Sequence, residues 1–185
     1  MDYPLSDYYL TEIKNLEAKT RKKYRKFKEL DFNEVNKKIK AIKNQRLKLC
    51  YQTILATGLR VAELSQITTQ DCKFLDDEVH FFFIGKGGML QMVKLLKNEY
   101  PKLYENLKET HATLCEKPKV KPKMFYSAVY LQNKARKLGF TCHDLRRAFA
   151  KLEYKKSKSK KEVMQKLRHT SMKNTMIYIR RKIKF

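Results

Sequence analysis

The stretch Thr141-Cys142-His143-Asp144-Leu145-Arg146-Arg147-Ala148-Phe149 carries the most geometric information in this chain. Thr141 followed three residues later by Asp144 forms a capping box, so a helix should begin at about Cys142. On that helix Leu145, Ala148, Phe149 and Leu152 share one face and are expected to be buried. His143, Arg146 and Arg147 fall together on the opposite side. A His and an Arg three residues apart near a helix start can both point at one phosphate, helped by the positive end of the helix dipole. An isolated His-x-x-Arg is more often a solvated basic face, so the motif needs company.

Two further segments supply it. Upstream, Ala56-Thr57-Gly58-Leu59-Arg60-Val61-Ala62-Glu63-Leu64 sets an Arg just after a glycine-broken helix. Leu47, Cys50, Tyr51, Ile54 and Leu55 keep the helical period before Gly58, and Val61, Leu64 and Ile67 resume it in a second helix. Arg60 at such a break can be held rigidly while its guanidinium reaches into a cleft. Downstream, Leu167-Arg168-His169 precedes Tyr178 by nine residues, counted from the His. Val163, Met164 and Leu167 mark one helix there, and Ile179 and Ile183 help mark the next. With 11 tyrosines in the chain, Tyr178 alone would read as packing.

Between these segments the pattern changes. Residues 78–84 are rich in β-formers and residues 89–95 partly alternate, with the turn Gly85-Lys86-Gly87-Gly88 between them. That predicts a β-hairpin, with a third short strand near residues 73–75. Asp31 with Glu34 signals an earlier helix start, Pro101 opens a helix carrying Leu103, Leu107 and Leu114, and another runs over residues 127–138 with Gly139 as its cap. Residues 117–123 alternate Lys and Pro and read as an exposed loop, as does the Lys-rich run 155–161. Residues 1–30 read as a helix and basic linker before a domain over residues 31–185. The expected class is mainly α with a small antiparallel sheet (α+β).

Lys and Arg number 43 against 19 Asp and Glu, a formal net charge of +24 spread from Lys14 to Lys184. A basic surface that wide favours a polyanion, and nucleic acid is the leading partner. Composition alone leaves a ribosomal or other structural nucleic-acid binder open. The four cysteines form no Cys-x-x-Cys pair, and Cys50, Cys72 and Cys142 sit among apolar neighbours, as reduced packing thiols do. No apolar run is long enough to span a bilayer and no signal-peptide pattern opens the chain, so a cytoplasmic protein without a membrane partner is expected. No Asp/Glu cluster has metal-binding spacing near the site residues and no Walker-type loop is present, which disfavours a two-metal nuclease and an ATPase. No cofactor is expected.

Together and in this order, the pieces resemble the tyrosine recombinase or phage integrase family, which includes lambda-type integrases and Xer-type recombinases. Arg60 and Glu63 match the family's A-T-G-L-R-x-x-E-L box, Lys86 its hairpin Lys, and residues 143–147 its H-D-L-R-R. His169 and Tyr178 match its closing His and nucleophilic Tyr at the same nine-residue offset. The resemblance covers about residues 31–179 and implies that family's catalytic-domain fold. There are departures. Arg168 stands where the family usually has Gly, the hairpin continues Gly87-Gly88-Met89-Leu90-Gln91 without further basic residues, and seven residues follow Tyr178. The first 30 residues are too short for a separate DNA-clamping domain, so a catalytic fragment or a short member is expected.

The resemblance implies metal- and ATP-independent transesterification of DNA in site-specific recombination or integration of a mobile element or phage. Tyr178 would attack the scissile phosphorus to form a 3'-phosphotyrosyl link, and because phenol titrates at about 10 in water it needs help to lose its proton. His143 would assist as base, Arg60, Arg146 and His169 would hold the non-bridging oxygens, and Lys86 would protonate the leaving 5'-oxygen. Implied partners are double-stranded DNA, three further copies of the chain on paired sites and accessory DNA-bending proteins. Two other classes share these features: a type IB topoisomerase-like relaxing enzyme, and a catalytically silent DNA-binding regulator of the same fold.

Overall fold

The computed structural model describes residues 30–85, 87–116, 121–180 and 183–184. The expected N-terminal helix and basic linker lie outside these residues, apart from Leu30. Eight α-helices are described: α1 Phe32–Lys40, α2 Gln45–Thr57, α3 Val61–Leu64, α4 Pro101–Cys115, α5 Ala128–Lys137, α6 Cys142–Ser157, α7 Lys160–Lys166 and α8 Met172–Arg180. Strands β2 Cys72–Phe74, β3 Glu78–Ile84 and β4 Leu90–Leu96 form an antiparallel sheet in the order β2-β3-β4. Two-residue strands β1 Leu30–Asp31 and β5 Ile183–Lys184 pair in parallel, which the sequence reading did not anticipate. Ile183 thus belongs to a strand rather than to the last helix. The architecture is mainly helical with a small antiparallel sheet, as expected.

Helix α2 is the central rod. The Asn44 side chain caps it by accepting from the Leu47 N–H at 2.8 Å. Leu47, Leu49, Cys50, Tyr51, Thr53, Ile54 and Thr57 are buried, more than one face of the helix, so neighbours surround it. It packs against α6, and Tyr51 ties it to α5 by donating to the Leu131 carbonyl at 2.9 Å. Gly58 ends it in the left-handed region at φ 64°, its N–H closing on the Ile54 carbonyl at 2.9 Å. A side chain there would also collide with the Phe149 ring of α6, since a Cβ would lie 2.4 Å from one ring carbon. The chain leaves Gly58 into α3, which lasts four residues only. Ile67, expected on that helix, lies beyond it and is buried all the same.

The hairpin forms where β-branched and aromatic residues alternate. Val79, Phe81 and Phe83 of β3 face the core, and the pairing runs in register from Glu78 with Leu96 to Ile84 with Leu90. Its far end projects past the core, leaving Ile84, Met89, Leu90 and Met92 exposed. Gly87 and Gly88 take φ 99° and 80° in the turn. Of the predicted Lys-Pro loop, Lys121 and Lys123 are exposed, but Pro122 is half-buried and Lys123 pairs with Thr68. The Lys-rich run 155–161 is not a loop. It completes α6, turns through Lys158 at φ 55°, and starts α7 with the Ser159 side chain accepting from the Glu162 N–H. Phe149, Ala150, Val163 and Leu167 form a small second core that locks α6 to α7, with Tyr178 and Ile179 packed on it. No helix among the described residues is long and apolar enough to cross a membrane.

Candidate active site

Four short elements bring the site together. Helix α6 begins as its capping box dictates: Thr141 Oγ1 accepts from the Asp144 N–H at 3.2 Å, and an Asp144 carboxylate oxygen accepts from the Thr141 N–H at 3.0 Å. Leu145, Ala148 and Phe149 are buried and Leu152 is half-buried. Arg146 departs from a simple two-faced reading. It is 1% exposed, because the face opposite those residues packs under the Gly58 break and the Leu167 turn. Its Nη1 donates to the Gly58 carbonyl and its Nη2 to the Leu167 carbonyl at 2.6 Å, and Nε has no partner among the described residues. A guanidinium carries five N–H donors, so three still have no carbonyl. Burial, then the charge of Arg60, pushes its pKa down to about 10, which leaves it cationic at neutral pH.

Glu63 is the counter-charge, 3% exposed. It accepts from the Arg60 backbone N–H at 2.8 Å and from Arg60 Nη1 at 2.5 Å. Arg168 Nη2 reaches the same carboxylate at 3.4 Å and Arg146 Nη1 lies 3.7 Å away. Burial raises the carboxyl's pKa, but the two Arg60 hydrogen bonds and the charge of Arg168 outweigh it and hold the group below its ordinary value. Three arginines therefore surround one carboxylate. The excess positive charge is buried or half-buried, an arrangement that an anion stabilises.

Arg168 takes φ 55° in the turn between α7 and α8. A non-glycine residue there costs about 1–2 kcal/mol, which other contacts must offset. Its Nη1 donates to the Lys166 carbonyl at 3.0 Å, its Nη2 to the Gly58 carbonyl at 3.4 Å, and its Cζ lies 5.4 Å from the centre of the Phe83 ring. This turn aims His169 at the site. His169 Nδ1 pairs with Thr175 Oγ1 at 3.0 Å, and its ring meets that of Tyr178 edge-on at 5.0 Å. Burial, then the charges of Arg146, Arg60 and Arg168, lowers its pKa to about 4.

Tyr178 completes the cluster from α8. Its hydroxyl lies 3.3 Å from His143 Nδ1, and Arg147 Cζ sits 5.7 Å from its ring centre. Burial, then the charges of Arg147 and Arg146, lowers the His143 pKa, so the neutral imidazole is favoured. Val61, Gln132, Arg136, His143, Arg147 and Tyr178 line a cleft of about 340 Å³. Arg60, His143, Arg146, His169 and Tyr178 thus meet in one connected set. Lys86 lies outside the described residues. The sequence reading missed Thr175, which belongs to no motif, and it had Arg147 and Gly58 as motif letters without their contacts to the Tyr178 ring and to Arg146. Glu63 and Arg168 were visible there as a motif letter and a departure, without their roles.

The chain matches the model of the phage integrase family over residues 28–184. It is 28% identical over 162 residues to tyrosine recombinase XerA of Pyrococcus horikoshii, an alignment covering 82% of this chain and 56% of that protein. The chain therefore spans little more than half the length of that curated relative. Similar solved structures include XerA recombinase, with a TM-score of 0.68 at 20% identity over 82% of this chain and 60% of that one. XerH site-specific recombinase bound to palindromic difH substrate, in a post-cleavage complex, gives 0.66 at 22% identity over 81% and 48%. Lambda integrase bound to DNA gives 0.60 at 20% over 83% and 60%. At such identities the structural likeness is one of fold. The family match across nearly the whole chain, on a fold of the same kind, is what decides membership: the chain belongs to the phage integrase family.

Proposed function

We propose that this chain cuts and rejoins DNA strands in site-specific recombination, through a covalent 3'-phosphotyrosyl link at Tyr178. The observation that carries the reading is the Tyr178 hydroxyl 3.3 Å from His143 Nδ1, both residues lining one cleft with Arg136 and Arg147. With its proton on Nε2, a neutral His143 accepts at Nδ1 as the phenol attacks phosphorus. The oxygen–phosphorus bond to Tyr178 forms as the bond to the 5'-oxygen breaks. Arg60 and the free donors of Arg146 stabilise the added negative charge on the non-bridging oxygens. His169, neutral at physiological pH, donates one hydrogen bond to the same group from Nε2 if Nδ1 accepts from Thr175. Lys86, which matches the family's lysine in sequence, protonates the departing 5'-oxygen, completing the proton balance. The link retains the energy of the phosphodiester, so attack by a second 5'-hydroxyl reverses the step without ATP. Double-stranded DNA is the partner, a reading that the DNA-bound structure of lambda integrase supports; the assembly would hold four protomers on paired sites.

The test is a pool of nicked duplexes of randomised sequence incubated with the chain, followed by denaturing electrophoresis. A covalent protein–DNA band, absent for Tyr178→Phe, is expected. Persistence of the band in that variant would reassign the nucleophile, and its absence with wild-type protein on bound DNA would overturn the reading.

A further inference from the structure

Among the described residues of the site, Arg168 is the one whose backbone works against its side chain. A left-handed turn at φ 55° suits glycine, yet the position holds a long cation whose side chain is 13% exposed. The guanidinium spans three anchors from three parts of the chain. Its Nη1 holds the Lys166 carbonyl at the end of α7, and its Nη2 holds both the Gly58 carbonyl and the Glu63 carboxylate at 3.4 Å. The Phe83 ring of β3 covers its other side. Arg146 holds two of the same three places: the Gly58 carbonyl and, through Leu167, the α7–α8 turn. The two arginines therefore cross-brace one junction, with Glu63 between them and Arg60 on its other oxygen.

We propose that Arg168 is a positioning residue of the transesterification: it clamps the His169 turn onto the Gly58–Glu63 corner and so fixes Arg60, Arg146 and His169 in one geometry. It touches none of the reacting atoms. A glycine at this position would satisfy the backbone, and packing alone does not call for a cation. A third cation around one carboxylate adds charge repulsion that only a rigid, anion-binding arrangement turns to use. Its charge also faces His169 together with Arg146, Arg60 and Glu63, while Thr175 and Tyr178 contact the ring from α8. Arg168 adds to burial and to the charges of Arg146 and Arg60, which together hold the imidazole below its ordinary pKa.

The inference rests on the strand-cleavage reading for its kinetic arm and stands apart from it in its second arm. The full chain is compared as wild type, Arg168→Gly and Arg168→Lys. Arg168→Gly relieves the backbone strain, so it should fold with its thermal midpoint held or raised. Adduct formation on saturating nicked duplex should nevertheless slow by about 10- to 100-fold, with DNA affinity changed far less. Arg168→Lys keeps the charge but cannot span three acceptors, and it should fail to restore the rate. In the second arm, NMR titration without DNA should show His169 gaining its proton at higher pH in Arg168→Gly and near the wild-type pH in Arg168→Lys. An Arg168→Gly protein that cleaves at the wild-type rate overturns the proposal. So does slowing that merely tracks lost stability or lost DNA affinity, or a His169 titration that does not move. If wild type forms no adduct at all, the cleavage reading fails while the His169 titration still decides whether Arg168 shapes the cluster.

Discussion

At the scale of single residues the site is organised by burial of charge. Arg146 and Glu63 are buried together; two backbone carbonyls and the Glu63 charge satisfy Arg146, while Arg60 and Arg168 satisfy Glu63. The histidines show the same field from the other side. Both are held neutral by burial and by arginines, so their protonation opposes folding. The His169 imidazole titrates at about 4 in the folded chain, against about 6.5 when unfolded. Between those values the unfolded chain binds the extra proton, so stability rises with pH through that window and is lost as pH falls toward 4. Urea midpoints measured from pH 7 to 4 should therefore decline, and His169→Gln should flatten part of that decline. An equal slope in the variant would show that His169 is not held neutral. His143 shifts in the same direction, so the slope should shrink without vanishing.

At the scale of elements, the deciding object is the break between α2 and α3. Gly58 supplies a left-handed cap, leaves room for the Phe149 ring and offers one carbonyl to both Arg146 and Arg168. A methyl group there meets both the φ penalty and the aromatic ring. Gly58→Ala should lower unfolding stability by about 2–4 kcal/mol, read as a shift in urea midpoint at unchanged slope. A loss below about 0.5 kcal/mol would mean that Phe149 and the backbone relax freely, contrary to the close approach seen. The neighbouring elements explain which predictions from local pattern succeeded. The α6 start, the helix over residues 127–138 and the hairpin depend on residues within a few positions of one another, so chain-local chemistry specifies them. The run 155–161 misled because lysines suggest exposure, and exposure says nothing against a helix end. Lys155 and Lys156 are exposed and still helical.

For the whole molecule, charge and topology answer different questions. The formal charge of +24 is what remains after all 19 Asp and Glu are set against 43 Lys and Arg, so internal ion pairs such as those of Lys156 and Lys166 with Glu153 leave it untouched. The remaining surface suits a phosphate backbone, whose binding is governed by counterion release. Affinity for duplex DNA of arbitrary sequence should fall by about a thousandfold or more between roughly 50 and 200 mM salt. A fall of less than about tenfold, measured by fluorescence anisotropy, would mean that few of these lysines and arginines meet phosphates. The sequence by itself determined the family motifs, the helix starts, the hairpin and the glycine break, because each is written in residues close along the chain. Only the tertiary structure decided that Arg146 is buried and that Arg168 and Glu63 join the site. The partners concerned lie far apart: Arg146 and Gly58 are separated by 88 positions, Arg168 and Glu63 by 105. No local pattern encodes such a meeting. It arises when the small core of α6, α7 and α8 closes over the end of α2 and brings the Leu167 turn against Gly58.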